Sequence, residues 1–267
     1  MPQESRQVKI SFAGVQKMYA SAHGGTLALD SLNLEIRQSE IVSIVGPTGC
    51  GKSTALNLAA GFEVPSSGTV LVDGQPIAGP SINRAVVFQQ PSLFPWLTVF
   101  DNVTLGLKCS GVPKADYTAR ASSLLEEVGL AGFDKHYPYQ LSGGMQQRTQ
   151  IARALLGEPQ VLLMDEPFGA LDYQTRLLMQ KLLLRLWDHF QPTIFFITHD
   201  VSEAVFISDR VIVMTRRPGR VKRVVDVLAP KPRDYEFLSS TEFTSIEHDL
   251  ILAVQSEVED RHAVEAH

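Results

Sequence analysis

The chain has 267 residues, 44% of them hydrophobic and 20% charged, a globular composition long enough for one or two domains. Its net charge of −5 argues against a general nucleic-acid binder, and two cysteines, Cys50 and Cys109, make no disulfide framework and point to a reducing compartment. No apolar run approaches the ~20 residues of a membrane span and the first residues lack a signal-peptide core, so a soluble chain, able to sit on a membrane protein, is expected.

From Val8 to Ile36 apolar and polar residues alternate in short runs, as in Leu32-Asn33-Leu34-Glu35-Ile36, which predicts half-exposed antiparallel strands. Tyr19 falls here, before a loop-like Ser21–Thr26, either as a strand aromatic packed on a core or as a ring able to stack on a base. Ile41–Val45 is a buried strand by its β-branched run. Gly46-Pro47-Thr48-Gly49-Cys50-Gly51-Lys52-Ser53-Thr54 follows and fits G-x-x-x-x-G-K-[ST]. A helix over Ser53–Ala60, closed by Gly61, completes the strand–loop–helix context this motif requires. Such glycines turn backbone N–H groups onto phosphate oxygens, Lys52 reaches the β- and γ-phosphates, and the Ser53 hydroxyl ligates Mg²⁺.

Thr69–Val72 with Asp73-Gly74 predicts a hairpin. Arg84–Phe88 is a further strand ending on Gln89, after which Gln90–Trp96, with two prolines, is a loop with exposed aromatics. From Thr98 to Gly157 the chain turns helical, most clearly at Ser122–Val128 and Gly144–Leu156. Val161–Met164 is an apolar strand delivering Asp165 and Glu166. Asp172–Phe190 is an amphipathic helix with Leu178, Leu182 and Leu186 on one face. Thr193–Thr198 and Val211–Met214 are two more strands, the first ending on His199. A helix around Glu247–Val258 closes the chain. Strands alternating with helices predict a parallel sheet, whose ligands gather at the carboxyl ends of its strands, where Gly46, Gln89, Asp165 and His199 all fall.

These residues form a phosphoryl-transfer constellation. Asp165 shares the Mg²⁺ shell with Ser53, Glu166 is the candidate general base, Gln89 orients water and metal, and His199 meets the γ-phosphate. Leu141-Ser142-Gly143-Gly144 opens a helix, which by itself is no more than a Ser N-cap.

The whole set resembles the ATP-binding cassette ATPases over about residues 8–223, through the phosphate loop, Gln89, Leu141–Gly144, Val161–Pro167, Gly169-Ala170-Leu171-Asp172 and His199. The resemblance implies an α/β P-loop NTPase (RecA-like) core with an antiparallel β subdomain and an inserted α-helical subdomain near 90–158. The ATPase domain would occupy 1–230 and a helical tail 231–267. It also implies ATP and Mg²⁺ as cofactors and a head-to-tail homodimer. In that dimer Ser142, Gly143 and Gly144 bind the γ-phosphate held by the other copy, with Asp172 at the interface and Tyr19 on the adenine. Met145 departs from the family's usual glutamine.

Phe94-Pro95-Trp96-Leu97-Thr98-Val99 and Arg217-Pro218-Gly219-Arg220 resemble the nitrate, sulfonate and taurine importer branch. That implies integral membrane permease subunits, an extracytoplasmic solute-binding protein, and a peripheral place on the cytoplasmic face of the inner membrane. Leu93, Phe94, Trp96 and Leu97 then form an apolar docking surface, unless the loop folds onto its own core. Arg210, Arg216, Arg217, Arg220, Lys222 and Arg223 read as a solvated hairpin or a lipid-attracted patch. Cys50 is expected to let a thiol reagent block nucleotide binding. A non-transport cassette ATPase acting on nucleic acid or the ribosome, and a P-loop kinase, are the competing classes. The acidic balance disfavours the first, and Leu141–Gly144 disfavours the second.

Overall fold

The computed structural model describes residues 6–20, 25–231 and 233–265, with side chains to residue 257, so most of the expected Ser21–Thr26 loop and Pro232 lie outside the described residues. In chain order the strands β1 (Val8–Tyr19), β2 (Thr26–Arg37) and β3 (Ile41–Val45) lead into α1 (Lys52–Ala60). Then come β4 (Ser67–Val72), β5 (Gln75–Pro76), β6 (Arg84–Val87), α2 (Val99–Cys109), α3 (Lys114–Glu127) and α4 (Gly143–Leu155). The chain continues with β7 (Val161–Asp165), α5 (Tyr173–Phe190), β8 (Thr193–Ile197) and α6 (Val201–Ile207). It ends with β9 (Arg210–Met214), β10 (Val221–Asp226), α7 (Tyr235–Leu238) and α8 (Thr241–Glu265). Two compact units result, Met1–Ser81 with Thr193–His267, and Ile82–Pro192.

The first unit holds two sheets. The antiparallel one runs β2-β1-β4-β5, and the alternation that announced it leaves Ile10, Phe12, Leu32, Leu34 and Ile36 inside. Asp73 and Gly74, both at positive φ, make the expected hairpin turn between β4 and β5. In the other sheet β3 lies between β8 and β9, parallel to both, and β10 returns antiparallel on β9. Every residue of β3 and β8 is buried, as continuous apolar runs demand. Phe12 of the first sheet meets Phe195 of the second edge-on at 6.1 Å between ring centres.

Buried polar groups at the base of this unit are paired. Asp209 accepts from the Ile41 N–H and from Lys231, both within 2.8 Å. Arg233 donates to the carbonyls of Val205, Phe206 and Ser208 at the end of α6, and to those of Val227 and Ala229. The guanidinium thereby closes carbonyls that a helix end leaves open. The terminal helix starts earlier than Glu247, because Ser240 Oγ accepts from the Phe243 N–H and caps it there.

The second unit holds the parallel pair β6 and β7 with helices α2 to α5. β6 ends at Val87, one residue short of the expected Phe88. The helical face drawn through α5 is correct at Leu182 and Leu186, but Leu178 is half exposed.

Candidate nucleotide site

In the first unit the loop after β3 carries Gly46 to Gly51, and Lys52 opens α1. Gly51 is required by its conformation and its surroundings: φ is 100°, and a Cβ there would stand 2.7 Å from Leu29 Cδ2 and 2.9 Å from the Ala28 carbonyl. Because glycine supplies no capping side chain and the first turn of α1 carries no acid, the N–H groups of that turn keep their partial positive charge for an anion. The Lys52 side chain is buried and folded across the loop, its Nζ donating to the carbonyls of Gly46 at 2.9 Å and Pro47 at 3.1 Å. The loop thus brings a cation to the uncapped first turn of α1, a donor set that suits a polyphosphate. Thr48, Gly49 and Ser53 lie at the exposed rim and Thr54 is half buried.

Cys50 corrects an expectation. It is 1% exposed, and burial raises its thiol pKa despite Lys52 nearby. The sulfur points into the core beneath the loop, so a reagent cannot reach it as it reaches the exposed Cys109.

Tyr19 is brought to the loop. Its ring is 37% exposed, its hydroxyl donates to Glu63 at 2.7 Å, and it lies 3.3 Å from Thr54 Oγ1 in the first turn of α1. Burial comes first among the causes that raise the phenol pKa, with Glu63 adding to it. Lys17 pairs with Glu63 at 3.0 Å and sits 5.1 Å over the tyrosine ring. Neither Glu63 nor Lys17 was singled out from sequence, since each reads as an ordinary surface charge.

His199 follows the wholly buried β8 and is exposed. Thr198 Oγ1 accepts from the Asp200 N–H at 3.0 Å, and Asp200 caps α6 by accepting from the Glu203 N–H. The imidazole is therefore displayed between a strand end and a capped helix, next to the strand that delivers Gly46.

In the second unit β6 and β7 run in register from Arg84 beside Val161 to Val87 beside Met164. Gln89 and Asp165 consequently leave neighbouring strands at the same end. Gln89 is exposed, while Asp165 and Glu166 are half buried. Glu166 has φ 45°, a left-handed backbone that costs a non-glycine residue of order 1–3 kcal/mol. Its carbonyl accepts from the Gly169 N–H at 3.1 Å, which closes the turn behind it.

The same unit carries Leu141-Ser142-Gly143-Gly144. Ser142 N-caps α4 by accepting from the Met145 N–H at 3.3 Å, and the first turn holds no acid. Asp172 caps α5, its carboxylate accepting from the Thr175 N–H at 3.0 Å and the Thr175 hydroxyl at 2.7 Å. These bonds, the hydroxyl's first, hold the Asp172 carboxyl below the usual carboxylate range. Nearby, Asn102 is fully buried and latches the preceding loop through Phe94, Leu97 and Thr98. Arg153 donates to Ser92, and the loop leaves Trp96 71% exposed against Phe94, with Leu93 and Leu97 half buried.

The family model described as ABC transporter matches residues 29–169, just over half the chain. The chain is 45% identical over 240 residues to the nitrate import ATP-binding protein NrtD of Synechocystis, covering 88% of this chain and 90% of that one. It is 50% identical over 198 residues to the taurine import ATP-binding protein TauB of Chromobacterium violaceum, covering 74% and 76%. Among solved structures it is similar to an ATP-binding cassette determined as a dimer in a post-hydrolysis state with ADP and Pi. That match has a TM-score of 0.72 at 33% identity, over 83% of this chain and 100% of the other. With a phosphate loop of this geometry and relatives of this closeness, the chain belongs to the ABC transporter family and is an ATPase that powers transport.

Proposed function

We propose that the chain is the ATP-hydrolysing subunit of an importer for a small oxyanion or related solute, in the class of nitrate, sulfonates or taurine. The reading is carried by one observation. Two helices, α1 in the first unit and α4 in the second, each open on a glycine-rich entry with no acid in the first turn. A chain with two phosphate-receiving helix ends and one lysine-bearing loop is suited to pairing head to tail with a second copy. Phosphate on Gly46–Thr54 of one copy then meets Ser142, Gly143 and Gly144 of the other, with Asp172 at the interface and Tyr19 stacking on the adenine.

Within each site Lys52 neutralises charge on the β- and γ-phosphates, Glu166 takes the proton of the attacking water, and His199 binds the γ-phosphate edge. Ser53, Asp165 and Gln89 are the residues that would hold Mg²⁺, which supplies charge neutralisation across the phosphate oxygens. The hydroxyl and carboxylate donors are the hard oxygens that ion takes. The Asn102-latched loop with exposed Trp96 is the surface for the permease subunits, on the cytoplasmic face of the membrane, and a solute-binding protein feeds them from the other side. Among the described residues no helix is long and apolar enough to cross a membrane.

The test is co-purification with the permease and reconstitution in vesicles, with uptake of nitrate, taurine and an alkanesulfonate measured against internal ATP. Uptake that ignores ATP, or a chain that binds no membrane subunit, would sink the reading.

A further inference from the structure

The basic hairpin between Arg210 and Arg223 is exposed at Arg217, Arg220, Lys222 and Arg223, as a solvated run would be, yet four of its six basic side chains are ion-paired. Arg210 pairs with Glu40 at 2.5 Å, Arg220 with Asp30, Lys222 with Glu257 at 2.6 Å and Arg223 with Asp249 at 2.6 Å. Arg217 has a different partner. It is exposed, at the tip of the turn joining β9 to β10, and its Nε donates to the Gly49 carbonyl of the phosphate loop at 3.1 Å. Gly219 seats the same turn on the loop: a Cβ there would lie 2.0 Å from the Cys50 carbonyl. Its N–H donates to the Ala28 carbonyl at 2.9 Å, and its carbonyl accepts from the Asp30 N–H at 3.1 Å.

The base of the turn is held from the other side. Glu257 of α8, with a side chain 11% exposed, accepts from the Arg216 N–H at 2.9 Å and pairs with Lys222. One carboxylate on the terminal helix therefore ties the turn at Arg216 to β10 at Lys222, on the hairpin whose tip touches the phosphate loop.

We propose that Arg217 is a positioning residue for the phosphate loop, seated by Glu257, so that α8 sets nucleotide affinity through the β9–β10 turn. The inference rests on the nucleotide reading of Gly46–Thr54. The Gly49 carbonyl and the Cys50 N–H share one trans peptide plane and point opposite ways. A guanidinium holding the carbonyl end outward fixes the N–H end inward, where it closes on the Pro47 carbonyl at 3.3 Å. A loop already held in this conformation loses less entropy when it takes up phosphate. Arginine suits the task because its rigid fork donates from Nε at a fixed angle, which lysine cannot imitate.

Equilibrium binding of a fluorescent ADP analogue to the full chain tests this, using wild type, Arg217→Ala, Arg217→Lys, Glu257→Ala and the double alanine variant. Arg217→Ala and Arg217→Lys should each weaken binding about three- to tenfold with the melting temperature within about 2 °C of wild type. Glu257→Ala should weaken binding in the same direction, and the double variant should bind no worse than the weaker single one, because both act through one link. Glu257→Gln keeps the acceptor for the Arg216 N–H and should stay within about twofold of wild type. Unchanged affinity in Arg217→Ala, full affinity in Arg217→Lys, or losses that multiply in the double variant would overturn the proposal. A wild-type chain that bound no ADP analogue would overturn the nucleotide reading itself, and this inference with it.

Discussion

Thr175 Cγ2 lies 3.0 Å from the position a Cβ would occupy on Gly144, closer than side chains ordinarily approach. The methyl cannot swing away freely, because Asp172 holds the Thr175 hydroxyl and N–H together. The entry to α4 and the cap of α5 therefore form one packed unit, and glycine at 144 is set by that contact.

Gly144→Ala should leave the protein folded and lower ATP turnover at least tenfold, by displacing the amides of the α4 entry against Asp172 and Thr175. Adding Thr175→Ser removes the offending methyl while keeping the hydroxyl on Asp172, and should restore a large part of the rate. Steady-state phosphate release by the single and double variants decides it. If the serine brings no recovery, the packing explanation fails.

The two thiols should behave oppositely toward an aromatic disulfide reagent. Cys109 is exposed and should react within minutes, whereas Cys50 is buried under the loop with a raised pKa and should react only on unfolding. The expected stoichiometry is one thiol per native chain and two in guanidinium. Native protein modified at Cys109 should keep its nucleotide affinity, and two fast thiols would contradict the burial of Cys50.

Much of this was legible in advance, for physical reasons that also mark where legibility ended. Buried parallel strands are continuous apolar runs, so Ile41–Val45 and Thr193–Ile197 were plain, and the residues following them were correctly placed at carboxyl ends. Local chemistry announced Ser142 and Asp172 as helix entries, and the helix expected from Ser53 begins one residue earlier, at Lys52 behind Gly51. Long-range pairing leaves no such trace. Arg217 on Gly49, Glu257 on Arg216 and Arg233 on the Val205, Phe206 and Ser208 carbonyls join residues far apart in sequence, so Arg216 and Arg217 read only as part of a charged stretch and Arg233 was not singled out. Leu178 kept helical spacing yet remained exposed, because periodicity says which residues share a face and not how wide the covered face is.

Stability should rise with pH in a window set by Lys231. Burial lowers its pKa from 10.5 to about 8 even with Asp209 beside it. Between those values the unfolded chain holds the proton and the folded chain has released it, so raising the pH favours the folded form; below about 8 the cost of burying the charge is felt in full. Lys231→Met removes this dependence. The stability of wild type relative to that variant, from urea unfolding, should increase by roughly 2 kcal/mol between pH 8 and pH 10. A flat difference across that window would show that the ammonium is not desolvated.

Glu166 carries the chemical prediction, and its backbone sharpens it. The residue sits at φ 45° on the turn after β7, so its carboxylate is aimed by a conformation that the side chain itself does not stabilise. Glu166→Gln keeps the volume and makes the same demand on the backbone, so the folded structure should hold. The amide cannot accept the water's proton, and turnover should fall by roughly 10²–10⁴ while ATP still binds. With the γ-phosphate intact, the closed pair of chains has no route to reopen, and the variant should elute as a dimer with ATP and as wild type does without it. Rapid hydrolysis by the glutamine variant would transfer the base to another residue. Slow hydrolysis without an ATP-stabilised dimer would keep Glu166 as the base and remove Ser142 and Gly144 from the second copy's site.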